Sequence, residues 1–133
     1  MIRVSMNLNE KDFEKLNKLG IECLILCGSQ AQKVVNNKSD YDFLVLGPKN
    51  QKTYDILYDM LSEKINKLTD IDIVFESAAP MEFKQHAAKY GIVLYEKSSS
   101  VFADFKQKVM IEYSDFAPYR AIFSNATLAR IQP

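Results

Sequence analysis

The sequence contains few of the residues on which several protein classes depend. Among its 133 residues there is no Trp, and there are one His, two Cys, three Arg and four Gly. One His and two Cys are too few ligands for a usual four-coordinate zinc site. Arg is the preferred residue for bidentate contacts with phosphates and bases, so three Arg and a net charge of zero argue against a broad nucleic-acid-binding surface.

Long apolar runs are also missing. No run approaches the roughly 18–20 residues that span a bilayer, and the first residues lack the apolar stretch of a signal peptide. We therefore expect a cytoplasmic protein without membrane association. The two cysteines, Cys23 and Cys27, lie four apart in one apolar segment. In a strand they would share one side about 13 Å apart, which is too far for a disulfide, and we expect reduced core thiols.

Residue periodicity predicts alternating strands and helices in one domain spanning residues 1–133. Asn9, with Asp12 three residues later, is a capping pattern that starts a helix, and Gly20 is a natural helix end. Strands are predicted at residues 21–27, 40–46, 70–75 and 91–95, and helices at 30–35, 52–68 and 80–89. The 52–68 helix repeats apolar residues at helical spacing: Tyr54, Leu57, Tyr58, Leu61, Ile65 and Leu68.

The predicted fold class is α+β (mixed α/β), a small mixed sheet flanked by helices. Its core spans about residues 9–97, and a helical C-terminal tail spans about 98–133. In that tail Val101, Phe102, Phe105 and Val109 form an apolar stripe that is typical of core packing. His86, on the predicted 80–89 helix, is interpreted as a surface or hydrogen-bonded histidine rather than a base.

Three carboxylates stand at strand positions. Asp40 and Asp42 are two residues apart and therefore point to the same face of their strand. Like charges this close repel each other, so we expect a cation to compensate them. Asp72 lies between two isoleucines in the next predicted strand, which would bring it to the same point if the strands are neighbours. Three converging carboxylates are the ligands expected of a two-Mg²⁺ site for phosphoryl or nucleotidyl transfer. Asp70 is the competing candidate, although its place at the strand mouth favours a cap or solvent role.

Gly28 and Ser29 follow the first apolar strand directly. Glycine allows a sharp turn and a close approach to a ligand, and the short helix predicted next would direct backbone N–H groups at an anion. This is not a P-loop, because position 33 is Lys where a second Gly would be required. Ten residues separate Ser29 from Asp40, and this combination is more specific than either pair of residues alone.

The order Gly28-Ser29, ten residues, then Asp40-Tyr41-Asp42 resembles the motif of the polymerase-β-type nucleotidyltransferase superfamily, and the strand around Asp72 resembles that of its third carboxylate. The small size, Tyr95-Glu96 and the tail sequence resemble the minimal nucleotidyltransferase (MNT) family, often the antitoxin half of MNT–HEPN pairs. The resemblance implies a polymerase-β-like fold and transfer of AMP from ATP to a hydroxyl. It assigns Gly28 and Ser29 to the nucleotide phosphates, and Asp40, Asp42 and Asp72 to two Mg²⁺ ions and catalysis.

The same resemblance implies a HEPN ribonuclease toxin as partner, with a toxin tyrosine as acceptor. The chain departs from the pattern at Gln32-Lys33, where relatives often carry a basic residue and Gly; Lys33 or Lys38 is a candidate for the missing charge, or both are solvated. Two alternatives stay open: transfer to a small molecule or an RNA end, and an inactive antitoxin that blocks its partner sterically. The oligomeric state is also open.

Overall fold

The computed structural model describes residues 8–27, 41–65 and 70–114. Within these ranges the chain forms four helices and four strands, in this order: α1 (Glu10–Lys18), β1 (Cys23–Cys27), β2 (Tyr41–Leu46), α2 (Gln51–Ile65), β3 (Ile71–Phe75), α3 (Met81–Tyr90), β4 (Ile92–Glu96) and α4 (residues 101–114). A single 3₁₀ turn, Glu76–Ala78, connects β3 to α3. The predicted strands and helices that fall in these ranges are thus present, and their described ends are shifted by at most two residues.

The four described strands form one mixed sheet in the order β3-β2-β1-β4. Strand β1 pairs antiparallel with both β2 and β4, and β2 pairs parallel with β3. A parallel pair requires a crossover connection, which α2 provides between β2 and β3. The mixed sheet with flanking helices confirms the predicted α+β class.

Each face of the sheet carries its own apolar core because side chains alternate along a strand. On the first face, Leu24, Phe43 and Ile73 pack with α1 and α2. On the second face, Ile25 and Leu44 pack with α3 and α4. Both cysteines are buried on the second face and are free thiols, as predicted.

The start of α1 follows the predicted capping pattern. The Asp12 backbone N–H donates to Asn9 Oδ1 (2.9 Å), and the Asn9 N–H donates to Asp12 Oδ2 (3.0 Å). Lys64 of α2 also reaches Asp12 Oδ2 at 2.9 Å, so one carboxylate caps α1 and ties it to α2. After α1, Gly20 has a φ of +78°, the left-handed conformation that glycine adopts readily.

Helix α2 differs from the prediction at its start and on one face. It begins at Gln51, one residue early, because the Asn50 side chain caps it by accepting a hydrogen bond from the Thr53 N–H (2.8 Å). Tyr58 was expected on the apolar face, but its ring is 39% exposed. Met60 is buried in the core instead.

Helices α3 and α4 lie over the second face. Pro80 is the N-cap of α3, with an extended ψ of 152°, rather than its first helical residue as predicted. The α4 stripe packs into the second core, with Phe105 and Val109 buried, which confirms its predicted role. Glu96 accepts a hydrogen bond from the Phe102 N–H (3.1 Å) in the first turn of α4.

Several predictions lie outside the described residues. They concern the short helix at 30–35, the turn that follows it, the end of the 52–68 helix and the tail beyond residue 114. Among the residues that the structure does describe, none of the helices has the length and apolar character needed to cross a bilayer.

Candidate active site

Two of the three predicted carboxylates lie directly beside each other. In the parallel pairing of β2 with β3, Asp42 is the register partner of Asp72. Neighbouring strands are about 4.8 Å apart, and register partners project to the same face. The preceding and following residues of each strand are in the first core, so both aspartates project to the second face. The sequence predicted this convergence on condition that the strands are neighbours, and the topology meets that condition.

The two aspartates differ in exposure. Asp72 is exposed on β3, an edge strand of the described sheet, and Asp42 next to it is partly buried. Facing like charges on adjacent strands are unfavourable unless a cation lies between or near them. Carboxylate oxygens are the hard ligands that Mg²⁺ prefers. The donor set on the second face therefore fits a magnesium site.

The other predicted site residues, Gly28, Ser29 and Asp40, lie outside the described residues. In the sequence, Gly28 follows Cys27, the last residue of β1, and Asp40 precedes Tyr41, the first residue of β2. In residues 8–27, 41–65 and 70–114 there is no group of three His, Cys, Asp or Glu side chains placed to hold a metal. The role of Asp40 as the third carboxylate ligand therefore stays a prediction.

Asp70, the competing candidate, contributes to the sheet through its backbone. Its carbonyl oxygen accepts a hydrogen bond from the Tyr41 N–H (3.0 Å), immediately before the first residue of β3. The residue is exposed. This place agrees with the predicted solvent role and leaves Asp72 as the carboxylate paired with Asp42.

Sequence reasoning missed one neighbour of the carboxylates, Cys27. Its register partner across the antiparallel pair is Asp42, so Asp72, Asp42 and Cys27 form one row across three strands. We call the end of the sheet that carries this row the carboxylate end. Burial raises the pKa of the Cys27 thiol to about 12, and the charge of Asp42 adds to the rise. The thiol is therefore neutral near pH 7.

The only sequence feature that could have indicated Cys27 was its place as the last strand residue before Gly28. The antiparallel pairing of β1 with β2, which sets Cys27 beside Asp42, does not follow from periodicity. Sequence patterns locate strands along the chain but leave their order in the sheet open.

A cavity in the described part of the chain lies elsewhere. It has a volume of about 480 Å³ and lies at the opposite end of the sheet, where Leu46, Glu76 and Lys108 contribute to its wall. Acidic and basic side chains alternate around it without a convergent set of ligands. The row of side chains at the carboxylate end is the better candidate for chemistry.

Comparison with known proteins agrees with this geometry. A model of the family described as polymerase beta, nucleotidyltransferase matches residues 10–100, which is more than half of the chain and includes both paired aspartates. The chain belongs to this family. The predicted enzyme class, nucleotidyltransferase, and the predicted polymerase-β-like fold are thereby confirmed. A comparison with curated proteins finds no match.

Solved structures of toxin–antitoxin proteins share the fold. One, a toxin–antitoxin with AMP-PNP, has a TM-score of 0.69 at 23% identity, covering 90% of this chain and 99% of that one. A second, a MntA–HepT mutant with two Asp-to-Glu changes two residues apart, gives 0.67 at 22%, with coverages of 90% and 99%. A third contains a tri-AMPylated Shewanella oneidensis HEPN toxin with an MNT antitoxin, and gives 0.60 at 19%, with coverages of 90% and 99%. At these identities the likeness shows the fold.

Proposed function

We propose that this protein is a Mg²⁺-dependent adenylyltransferase that moves AMP from ATP to a tyrosine hydroxyl of a HEPN toxin and thereby acts as an antitoxin. The observation that carries the proposal is the register pairing of Asp42 with Asp72, which is exposed on an edge strand of the described sheet. A cytoplasmic location, as expected from the sequence, would suit both substrates.

In this proposal three carboxylates would hold two magnesium ions. Asp42 and Asp72 are paired across the sheet, and Asp40 is the expected third ligand, two residues before Asp42. When bound, the ions would neutralise charge on the transferring phosphoryl group and on the pyrophosphate. The Asp-to-Glu changes in the MntA–HepT mutant have the same spacing as Asp40 and Asp42, which supports a functional role for such a pair.

The chain's own groups would bind ATP and take up one proton. The Gly28 amide and the Ser29 hydroxyl would hold the β- and γ-phosphates, as phosphate-binding backbone turns do. Asp72 would accept the proton of the acceptor hydroxyl. The acceptor oxygen then bonds to the α-phosphorus while the bond from that phosphorus to the bridging oxygen breaks, and pyrophosphate leaves. The product is an AMP ester of the acceptor.

The partner is proposed from the structural neighbours. One of them contains AMP-PNP, and another pairs an MNT antitoxin with a HEPN toxin that carries AMP groups. The neutral net charge also disfavours an RNA acceptor, which would bind best to a basic groove.

The experiment uses the protein, ATP labelled on the α-phosphate, Mg²⁺ and the HEPN protein encoded beside it. We expect label on a partner tyrosine with the wild type and a loss of at least about 100-fold with Asp42→Ala or Asp72→Ala. Asp59→Ala, an exposed aspartate on α2, is the matched control and should keep full activity. Absence of label with the wild type would contradict the proposal.

The main alternative is an inactive antitoxin that binds its partner sterically. The departure at Gln32-Lys33 favours it, because this segment follows the predicted phosphate-binding turn. Calorimetry with AMP-PNP distinguishes the two functions. The adenylyltransferase should bind the nucleotide only with Mg²⁺ present, whereas the steric antitoxin should give no Mg²⁺-dependent heat.

A further inference from the structure

Helix α3 brings an aromatic and basic group to the carboxylate end of the sheet. Its last residue, Tyr90, is followed by Gly91 and then by Ile92, the first residue of β4. Ile92 pairs with Leu26, which is next to Cys27, so α3 ends beside the row that carries Asp42. Strand β4 is two strand spacings from β2, about 10 Å, a distance that a nucleotide bridges between its phosphates and its base.

The two flanks of α3 differ in what they contact. One flank faces α4: Lys84 pairs with Glu112 at 3.5 Å, and Ala88 is buried in the core that α3 and α4 share. At about 100° per residue, His86 and Tyr90 both lie about 160° around the helix from Ala88. They therefore line the flank opposite α4.

The end of α3 that carries Tyr90 lies at the same end of the sheet as the two aspartates. The 3₁₀ turn after β3 leads into α3 at the far end of the sheet, and α3 crosses to the start of β4 at the carboxylate end. Helix α4 starts beside Glu96, at the far end of β4, and Lys108 of α4 reaches Glu76 at 3.9 Å. These contacts place α4 against the far end of the sheet, whereas Asp42 and Asp72 lie at the carboxylate end, where α3 ends.

The Tyr90 ring is both exposed and held in place. It is 44% exposed, its centroid is 5.1 Å from the His86 ring, and Lys89 Nζ lies 5.3 Å from that centroid. A ring that is already oriented loses little conformational freedom when a ligand binds to it. The proposed chemistry at the carboxylates uses neither the His86 ring nor the Lys89 amine.

Gly91 fixes the position of this ring relative to the sheet. A Cβ at this position would clash with the Ala87 carbonyl oxygen and would lie 2.5 Å from Ile25 Cγ2. The end of α3 is therefore in close contact with β1, the strand that leads into Gly28 and Ser29. The ring is thus held beside β1, the strand whose last residue, Cys27, pairs with Asp42.

We propose that Tyr90, oriented by His86 and Lys89, is the surface on which the base of the nucleotide stacks. A polyphosphate is the poorer ligand here, because the C-terminal end of a helix carries partial negative charge. An aromatic ring instead offers stacking that contributes substantially per base and tolerates different bases. This inference rests on the proposed function and adds to it the residue that contacts the nucleoside.

The experiment compares AMP-PNP with inorganic tripolyphosphate, each with Mg²⁺, by calorimetry. Tyr90→Ala should raise the Kd for AMP-PNP about tenfold and leave the Kd for tripolyphosphate unchanged, while Tyr90→Phe should bind both as the wild type does. Tyr58→Ala, which removes a similarly exposed tyrosine from α2 on the first face, is the matched control and should change neither.

A second readout uses the absence of Trp from the chain. In Tyr90→Trp the new side chain is the sole indole, and its fluorescence should change with AMP-PNP but not with tripolyphosphate; in Tyr58→Trp it should change with neither. If Tyr90→Ala binds AMP-PNP with wild-type affinity, or loses the same affinity for both ligands, base stacking on Tyr90 is overturned while the proposed function stands. Failure of the wild type to bind AMP-PNP would overturn the proposed function as well.

Discussion

Asp42 and Asp72 are partners in the register of the parallel pair β2–β3, so two carboxylates face each other across one strand spacing. Such a pair opposes folding in the absence of a cation, because like charges at facing sheet positions repel. The exposure of Asp72 suits a function that requires both charges. The predictions below start from this pair and then turn to the scaffold that positions it.

The first prediction concerns the cost of the paired charges. Without divalent cations, Asp72→Asn should raise the free energy of unfolding by about 0.2–1 kcal/mol, because it removes the repulsion with Asp42. Added Mg²⁺ should stabilise the wild type and leave this variant unchanged. Urea unfolding with and without Mg²⁺ measures both effects. An equal response of the two proteins to Mg²⁺ would contradict the assignment, and Asp59→Asn serves as control.

The second prediction concerns the contact between α3 and β1. Gly91→Ala should lower the free energy of unfolding by about 1–3 kcal/mol, because the added Cβ meets the Ala87 carbonyl oxygen and the Ile25 side chain. Gly20→Ala should cost about 1 kcal/mol through its positive φ alone, since a Cβ there has ordinary contacts. Denaturant unfolding of both variants tests this order, and the reverse order would contradict the close packing at Gly91.

The third prediction is a dependence of stability on pH. Burial on its own raises the pKa of Asp12, but the hydrogen bond from the Asn9 N–H and the ion pair with Lys64 outweigh it and hold the pKa below its ordinary 3.8. A lowered pKa means that the carboxylate stabilises the fold above pH 3.8, and that this contribution is lost as the pH falls through the folded-state value.

Asp12→Ala should therefore destabilise the protein by about 1–2 kcal/mol at pH 7. The difference from the wild type should shrink progressively below pH 3.8. Glu14→Ala, which removes an exposed carboxylate from the same helix, should show neither effect. Urea midpoints between pH 3 and pH 7 provide the measurement, and a difference that stays constant over this range would show that Asp12 does not act through its charge.

The fourth prediction concerns thiol reactivity. Burial raises the pKa of Cys23 and of Cys27 to about 12 in each case. At pH 8 roughly one thiol in ten thousand is then ionised, and the thiolate is the reactive form. Iodoacetamide should leave both cysteines unmodified in the folded protein and label both in urea, as read by mass spectrometry. Rapid labelling of the folded protein would show that β1 is not buried.

Local patterns predicted the elements well because each depends on neighbouring residues in the chain. Asn9 with Asp12, the apolar run of β1 and Gly20 each specify a cap, a buried strand or a helix end through local chemistry. Tyr58 shows the limit of this reasoning. Its position fits the apolar face, but a phenol can stay partly in water, and Met60 fills the core instead.

The candidate site was predictable in part for the same reason. The spacing of Asp40 and Asp42 is a local feature, and the alternation of a strand fixes their shared side. The pairing of Asp42 with Asp72 and the place of Cys27 depend on strand order, which forms through contacts between distant segments. The role proposed for the cluster of His86 and Tyr90 likewise depends on where α3 ends on the sheet.

The most direct test of the account is to locate a divalent cation by anomalous diffraction from crystals soaked with Mn²⁺ and AMP-PNP. The account predicts an anomalous peak within bonding distance of carboxylate oxygens of both Asp42 and Asp72, about 2.0–2.2 Å for a small hard cation, with the nucleotide phosphates beside it. The account would be contradicted if the nucleotide is bound but its Mn²⁺ lies elsewhere and Asp72 binds no cation.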